Sequence, residues 1–157
     1  MDDDAPDWTA TNGPPRTPDD VTAENPYTLP GFFDALADGV LLGVRCSACD
    51  TRLIPPRPAC YACGSRDLEI ERQPDTGTVI SYTEVARPPP RFVDLAPFTV
   101  AIVELGTGAR LTGRLEAAYE ETEIGMGVRV TVRGPDELPD AALSHEEDWP
   151  LHVFEPV

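Results

Sequence analysis

Lysine is absent from the 157 residues, so no Schiff-base chemistry can run through a side chain of this protein. Apolar runs approaching 18 residues are also missing, which leaves no candidate for a membrane-spanning helix. A basic start is lacking too: the chain opens Met1-Asp2-Asp3-Asp4, the reverse of a secretory signal, and a cytoplasmic protein is expected. What the chain has in quantity is proline (18) and glycine (12), which favour turns and short strands over long helices. Its length suits one ordinary domain or two small modules.

Against 28 acidic residues stand 12 arginines, giving a net charge of −16. At low salt such a charge repels itself and weakens the compact state. At molar salt the screening length falls to ~3 Å and the penalty fades. Lysine-free, carboxylate-rich surfaces resemble those of proteins from salt-accumulating haloarchaea. A high-GC genome also favours arginine over lysine but does not account for the excess of acid. The charge is uneven: residues 1–40 and 96–157 each carry −8, whereas residues 41–95 hold seven acids and seven arginines. A neutral stretch in an acidic surface is where a partner or an anionic ligand could approach; a ribbon too small to carry surface acid reads the same way.

Residues 1–26 contain Trp8 as their only large apolar residue before Val21 and are expected to form a disordered acidic leader. Residues 27–44 turn apolar, with Phe32, Phe33, Leu36, Ala37 and Val40 at three- and four-residue spacing, as on a short packing or docking helix whose length Gly39 and Gly43 limit. Residues 45–72 form a cysteine module. From 73 to 157 the pattern is one of strands: Gly77–Val85, Phe98–Leu105, Ala109–Leu115, Val128–Arg133 and a closing Leu151–Phe154. The prolines of Arg87-Pro88-Pro89-Pro90-Arg91 interrupt the first two, and Gly106-Thr107-Gly108 makes a tight turn. The expected fold is mainly β: an N-terminal helix, a rubredoxin-like zinc ribbon, and a five-stranded barrel of the OB type.

Cys46-x-x-Cys49 and Cys60-x-x-Cys63 are two knuckles ten residues apart. Each offers two thiolates from one turn, and two such turns facing each other complete a tetrahedron. Gly64 follows the second pair, where the backbone often needs positive φ, and Asp50 holds the matching place. Disulfides do not suit a cytosolic chain, and redox thiols of the thioredoxin kind lack their βαβ context. Zinc is the expected metal; iron, which takes the same ligands, stays open. With four protein thiolates the site is closed to water, so its role is to fold the ribbon rather than to catalyse.

The other candidates are weaker. His145, beside Glu146-Glu147-Asp148, and His152 have no cysteine nearby, and an acidic loop is the plainer reading. Gly106-x-Gly108 lacks the third glycine and the helix of a dinucleotide site, and Gly125-Met126-Gly127 reads as a turn. Ser47, Ser65, Ser81 and Ser144 have no local partner that would activate a nucleophile. Arg87 and Arg91 flank a stiff triple proline in the neutral stretch and could grip a phosphate group; two arginines on a solvated loop is the bland alternative.

Together these motifs have a familiar order. The Phe-containing helix leads through Leu41–Arg45 into the first knuckle, then Pro55-Pro56-Arg57-Pro58 and Cys60–Ser65. Gly77–Thr83, Arg87–Pro90, Val100–Leu105 and Ile124-Gly125-Met126 follow. Over roughly residues 30–157 the chain resembles the zinc-ribbon plus OB-fold, acyl-CoA-associated family (domain of unknown function 35), with Asp50 a departure from the glycine common there. The resemblance implies a non-catalytic accessory subunit of a thiolase-type complex (acetyl-CoA acetyltransferase or β-ketothiolase), with hydroxymethylglutaryl-CoA synthase a further partner. It would dock the catalytic subunit through ribbon and helix and help hold or channel acyl-CoA. Two other readings compete. A nucleic-acid module would keep a basic groove, which a charge of −16 argues against. A stand-alone acyl-CoA enzyme would need a nucleophile or base with a partner.

The charge yields the first prediction: the melting temperature should rise continuously as KCl goes from 0.1 M to the molar range. A melting curve indifferent to salt would mean that the acidic surface imposes no repulsion on the fold.

Overall fold

The structure, a computed structural model, describes residues 14–134 and 150–157. Among these lie one α-helix and eight strands, with three short 3-10 turns.

Helix α1 spans Leu29–Ala37. Thr28 caps it, its hydroxyl accepting the Gly31 N–H at 3.4 Å. At the other end Gly39 takes φ +79° and donates to the Leu36 carbonyl, while Val40 donates to Ala35. These two bonds form a Schellman stop, which requires a left-handed residue and so a glycine. The helix fills only part of residues 27–44, and Gly39, one of the two glycines expected to limit it, is where it stops. The helix ends at Ala37, and the short apolar run after it enters strand β1, Leu42–Cys46. Val40-Leu41-Leu42 suits a helix or a strand equally, and only the Gly39 stop decides.

Strand β1 is the middle of an antiparallel three-stranded sheet, between β2 (Arg52–Leu53) and β3 (Leu68–Arg72). The barrel follows with β4 (Thr76–Val85), β5 (Phe98–Leu105), β6 (Arg110–Leu115), β7 (Gly127–Arg133) and β8 (Leu151–Pro156). It closes in the order β4-β5-β6-β8-β7, with β6 and β8 parallel and the other pairs antiparallel. This is the five-stranded OB arrangement.

Ribbon, helix and barrel share one core. Phe32 and Leu36 of α1, Leu42 and Val44 of β1, and Val79, Val103, Val128 and Phe154 of the barrel are all fully buried in a single cluster. Helix α1 touches both β1 and β8, so its apolar face joins the two halves of the molecule. Cutting Phe32 back to alanine in such a core costs about 3–5 kcal/mol.

Residues 14–26, expected to be part of a disordered leader, take a defined course instead. Their order comes from polar bonds rather than apolar burial. Asp20 accepts the N–H groups of Arg16 and Thr17, and these N–H bonds hold its carboxyl below the usual range. Arg66 of the ribbon reaches the Pro15 carbonyl at 2.7 Å, and the buried Tyr27 hydroxyl donates to the Leu68 carbonyl at 3.0 Å. Composition shows missing hydrophobic residues but not such long-range bonds.

His152 of β8 is an unusual part of the barrel. One ring nitrogen, Nε2, donates to the Thr112 carbonyl at 2.8 Å. The other, Nδ1, is the only buried side-chain nitrogen or oxygen without a partner among the described residues. Burial pushes its pKa below the ordinary value, and the Thr112 carbonyl only partly offsets this. The unfolded chain then binds the proton first as pH falls, so His152 removes stability below about pH 6.5. Urea midpoints of the wild type and His152→Gln should draw together, or cross in favour of the variant, between pH 7.5 and 5.5. A constant gap over that range would show that the histidine does not titrate differently on folding.

Candidate metal centre

Both knuckles are built in the same way. In the first, the Asp50 N–H donates to the Cys46 carbonyl and the Cys46 N–H to the Thr51 carbonyl, each at 2.8 Å. In the second, Gly64 donates to the Cys60 carbonyl at 2.9 Å and Cys60 to the Ser65 carbonyl at 2.8 Å. Each turn needs one left-handed residue: Gly64 has φ +77° and Asp50 φ +65°. Asp50 offsets its strain through its side chain, which pairs with Arg45 at 2.6 Å and Arg52 at 3.4 Å.

The four sulfurs lie within 4.8 Å of one another, Cys46 to Cys63 and Cys49 to Cys60 both at 3.6 Å. A tetrahedron of thiolates about 2.3 Å from a central ion has an edge of about 3.8 Å. The residues present thus fit a closed four-thiolate metal site. Cys46 and Cys60 are buried, whereas Cys49 and Cys63 face solvent. The Cys49 thiol is pulled down to about 6 by the hydroxyl and N–H of Thr51. At Cys63 the Ser65 N–H favours the thiolate, but the nearby sulfurs of Cys49 and Cys46 outweigh it and push the thiol up to about 12. A divalent cation is what allows all four to be thiolates together.

The other residues singled out in the sequence do not converge on this centre. Arg87 is exposed just beyond β4, and Arg91 falls in the 3-10 turn Pro90–Leu95. Both lie at the end of the β4–β5 pair remote from the β5–β6 hairpin, roughly 25 Å away along the strands. Gly106-Thr107-Gly108 is that hairpin's turn, and Gly125 turns the chain into β7 at φ +92°. The Ser65 hydroxyl accepts the Asp67 N–H at 3.0 Å, and Ser81 sits within β4. Ser144, His145 and the acids 146–148 lie outside the described residues. The sequence reading did not find Arg52, Arg57 and Arg110, which line one cleft between ribbon and barrel. The even charge balance of residues 41–95 was its only trace.

Family models match in two adjoining pieces: the rubredoxin-like zinc ribbon domain of ChsH2 over residues 33–69, and the C-terminal OB-fold domain of ChsH2 over 71–133. A DUF35 domain-containing scaffold protein of Methanothermobacter thermautotrophicus is 35% identical over 108 residues, 67% of this chain and 81% of that protein. The chain belongs to the DUF35 family. The DUF35 domain-containing scaffold protein of Methanocaldococcus jannaschii is 37% identical over 59% of this chain and 67% of its own length. A probable enoyl-CoA hydratase alpha subunit of Thermomonospora curvata is 42% identical over 98 residues, but the match spans only 30% of that subunit. Among solved structures, the Ltp2-ChsH2(DUF35) aldolase contains a chain of 37% identity, TM-score 0.61, covering 80% of this chain and 91% of that one. A DUF35 protein from Sulfolobus solfataricus, at 20% identity and TM-score 0.54, covers 88% and 95% and shares the DUF35 fold.

Replacing Cys60 by serine should abolish stoichiometric metal content and melt the ribbon. Metal binding and folding are one equilibrium in modules of this kind, about 10–16 kcal/mol in isolated zinc-finger peptides. A Cys60→Ser protein that retained full metal and its native far-UV spectrum would show that three sulfurs suffice.

Proposed function

We propose that this chain is a non-catalytic accessory subunit of a thiolase-type complex. It docks the acyl-CoA C-acyltransferase and helps to hold or channel its acyl-CoA. The observation that carries the accessory role is the likeness, at 37% identity over most of both chains, to a chain of the Ltp2-ChsH2(DUF35) aldolase; the thiolase as partner rests on the family resemblance of the motifs. The scaffold proteins among the relatives, and a hydratase subunit with a matching segment, support the same general role. The chain's own chemistry supports it too: its four cysteines stand together in one cluster, so the reacting thiol of a thiolase would come from the partner.

The metal in this reading is zinc, held by Cys46, Cys49, Cys60 and Cys63. Filled by protein thiolates, it fixes the ribbon as a docking module and leaves no position for substrate. In α1, Phe32, Ala35 and Leu36 are buried against the chain's own core, so a partner would meet the opposite face, where Leu29 is 48% exposed. Arg87 and Arg91, at the far end of the barrel, are kept as contacts for the phosphates of a bound coenzyme A. Hydroxymethylglutaryl-CoA synthase is a second partner in this scheme, and the complex works in the cytoplasm at high salt.

A tagged copy purified from its own cell extract in molar KCl tests the proposal. The expected result is recovery of a thiolase whose activity falls when this chain is stripped away, and loss of that enzyme with Cys60→Ser. Recovery of an aldolase or a hydratase instead would overturn the thiolase assignment; recovery of no acyl-CoA enzyme would overturn the accessory role.

A further inference from the structure

The cleft between the metal ribbon and the β5–β6 hairpin is cationic in an otherwise anionic chain. It has a volume of about 410 Å³. Three guanidinium groups line it from three separate segments: Arg52 in β2, Arg57 in the loop that follows, and Arg110 at the start of β6. Asp50 is the only acid in its lining, so the wall carries +2 while the whole chain carries −16. Residues 53 positions apart in sequence are brought together here only by the fold.

The three arginines are held in different ways. Arg52 is positioned by Asp50 at 3.4 Å and Glu71 at 3.3 Å. Glu71 in turn accepts the side-chain amide of the buried Gln73 at 3.0 Å, and the Gln73 carbonyl oxygen accepts the Thr107 hydroxyl at 2.6 Å. This chain of bonds fixes the hairpin to the ribbon, so the cleft is a preformed joint. Arg57 is exposed and has no carboxylate within 4.0 Å among the described residues. Arg110 has only an exposed pairing with Glu104 at 3.5 Å, a kind of contact that contributes little. Two guanidiniums are thus free to turn inward and a third is already oriented. Planar, permanently charged forks of this kind match the oxygens of a phosphate group.

We propose that this cleft binds a phosphorylated ligand through Arg52, Arg57 and Arg110. Tyr61, 70% exposed in the second knuckle, stands in the same wall and offers a ring on which a nucleobase could stack. The phosphate can belong to a free polyphosphate or to a nucleotide head group, and only the second would use Tyr61. The proposal does not rest on the accessory-subunit reading, in which Arg87 and Arg91 meet the phosphates of coenzyme A.

The full-length, metal-loaded chain is titrated calorimetrically with inorganic pyrophosphate and with adenosine 3′,5′-bisphosphate, in the lowest KCl that keeps it folded. Saturable binding should weaken about tenfold or more in Arg57→Gln and in Arg110→Gln, as loss of a charged hydrogen bond implies. Both sites are exposed, so metal content and melting temperature should stay unchanged, and Arg129→Gln on β7 should bind as the wild type does. Tighter binding of the bisphosphate, reduced to the pyrophosphate level by Tyr61→Ala, supports a nucleotide head; equal binding supports a phosphate group alone. Absence of binding by both probes, or affinities unaltered by both arginine variants, overturns the proposal. Because no partner enzyme is present, that failure would leave the accessory-subunit reading intact.

Discussion

Four sulfurs within 4.8 Å of one another can all be thiolates only around a cation, and the placing of the N-terminal half depends on that requirement. The ribbon sheet is too slight to hold itself, since β2 contributes two residues and β1 and β3 five each. Joining residue 46 to residue 63 through a metal fixes the knuckles, and with them β1. Leu42 and Val44 of β1 then enter the shared core, and α1 rests on the same strand. The exit from the ribbon is set in the same way. The Gln73 N–H donates to the Leu41 carbonyl at 2.8 Å, so the chain leaves for the barrel along a path fixed by β1.

Charge follows the same plan. Residues 41–95 come out neutral, and within the ribbon arginines and acids are interleaved in one network. Arg45 meets Asp50 and Glu69, while Arg52 meets Asp50 and Glu71. Pairs this exposed contribute about 0–1 kcal/mol each. Their larger effect is geometric, since Asp50 holds a left-handed backbone, closes the first knuckle and orients two guanidiniums at once. Elsewhere arginines more often brace the barrel, as where Arg133 bridges Glu116 and Glu155.

What was legible in the sequence is what local spacing controls. The two C-x-x-C pairs announced the cluster, because a tetrahedral ion needs two turns with two donors each. The barrel strands were legible because β-branched residues alternate with polar ones between glycine turns, as in Val128, Val130 and Val132. The glycine that ends α1, Gly39, was legible too; two features were hidden. The course of residues 14–26 depended on bonds such as that from Arg66 to the Pro15 carbonyl. The arginine cleft joins positions 52, 57 and 110, and no periodicity within one segment can encode such a meeting. Arg87 and Arg91, conspicuous beside three prolines, lie at the end of the β4–β5 pair opposite the β5–β6 hairpin.

The parallel pairing of β8 with β6 has a consequence for how the molecule is made. A ribosome delivers the chain from its N-terminus, so the whole metal module, complete by Arg72, emerges before any strand of the barrel. Strands β4 to β7 come next, yet β6 and β7 do not pair with each other, and only β8 bridges them. During that interval the nascent protein shows two open sheet edges, the kind that pair with other chains when left uncovered. The metallated ribbon and α1 can already stand in place at that stage, and α1 touches β8 when it arrives. Assembly is thus ordered in time, with the ribbon acting as the template and the last strand as the lock.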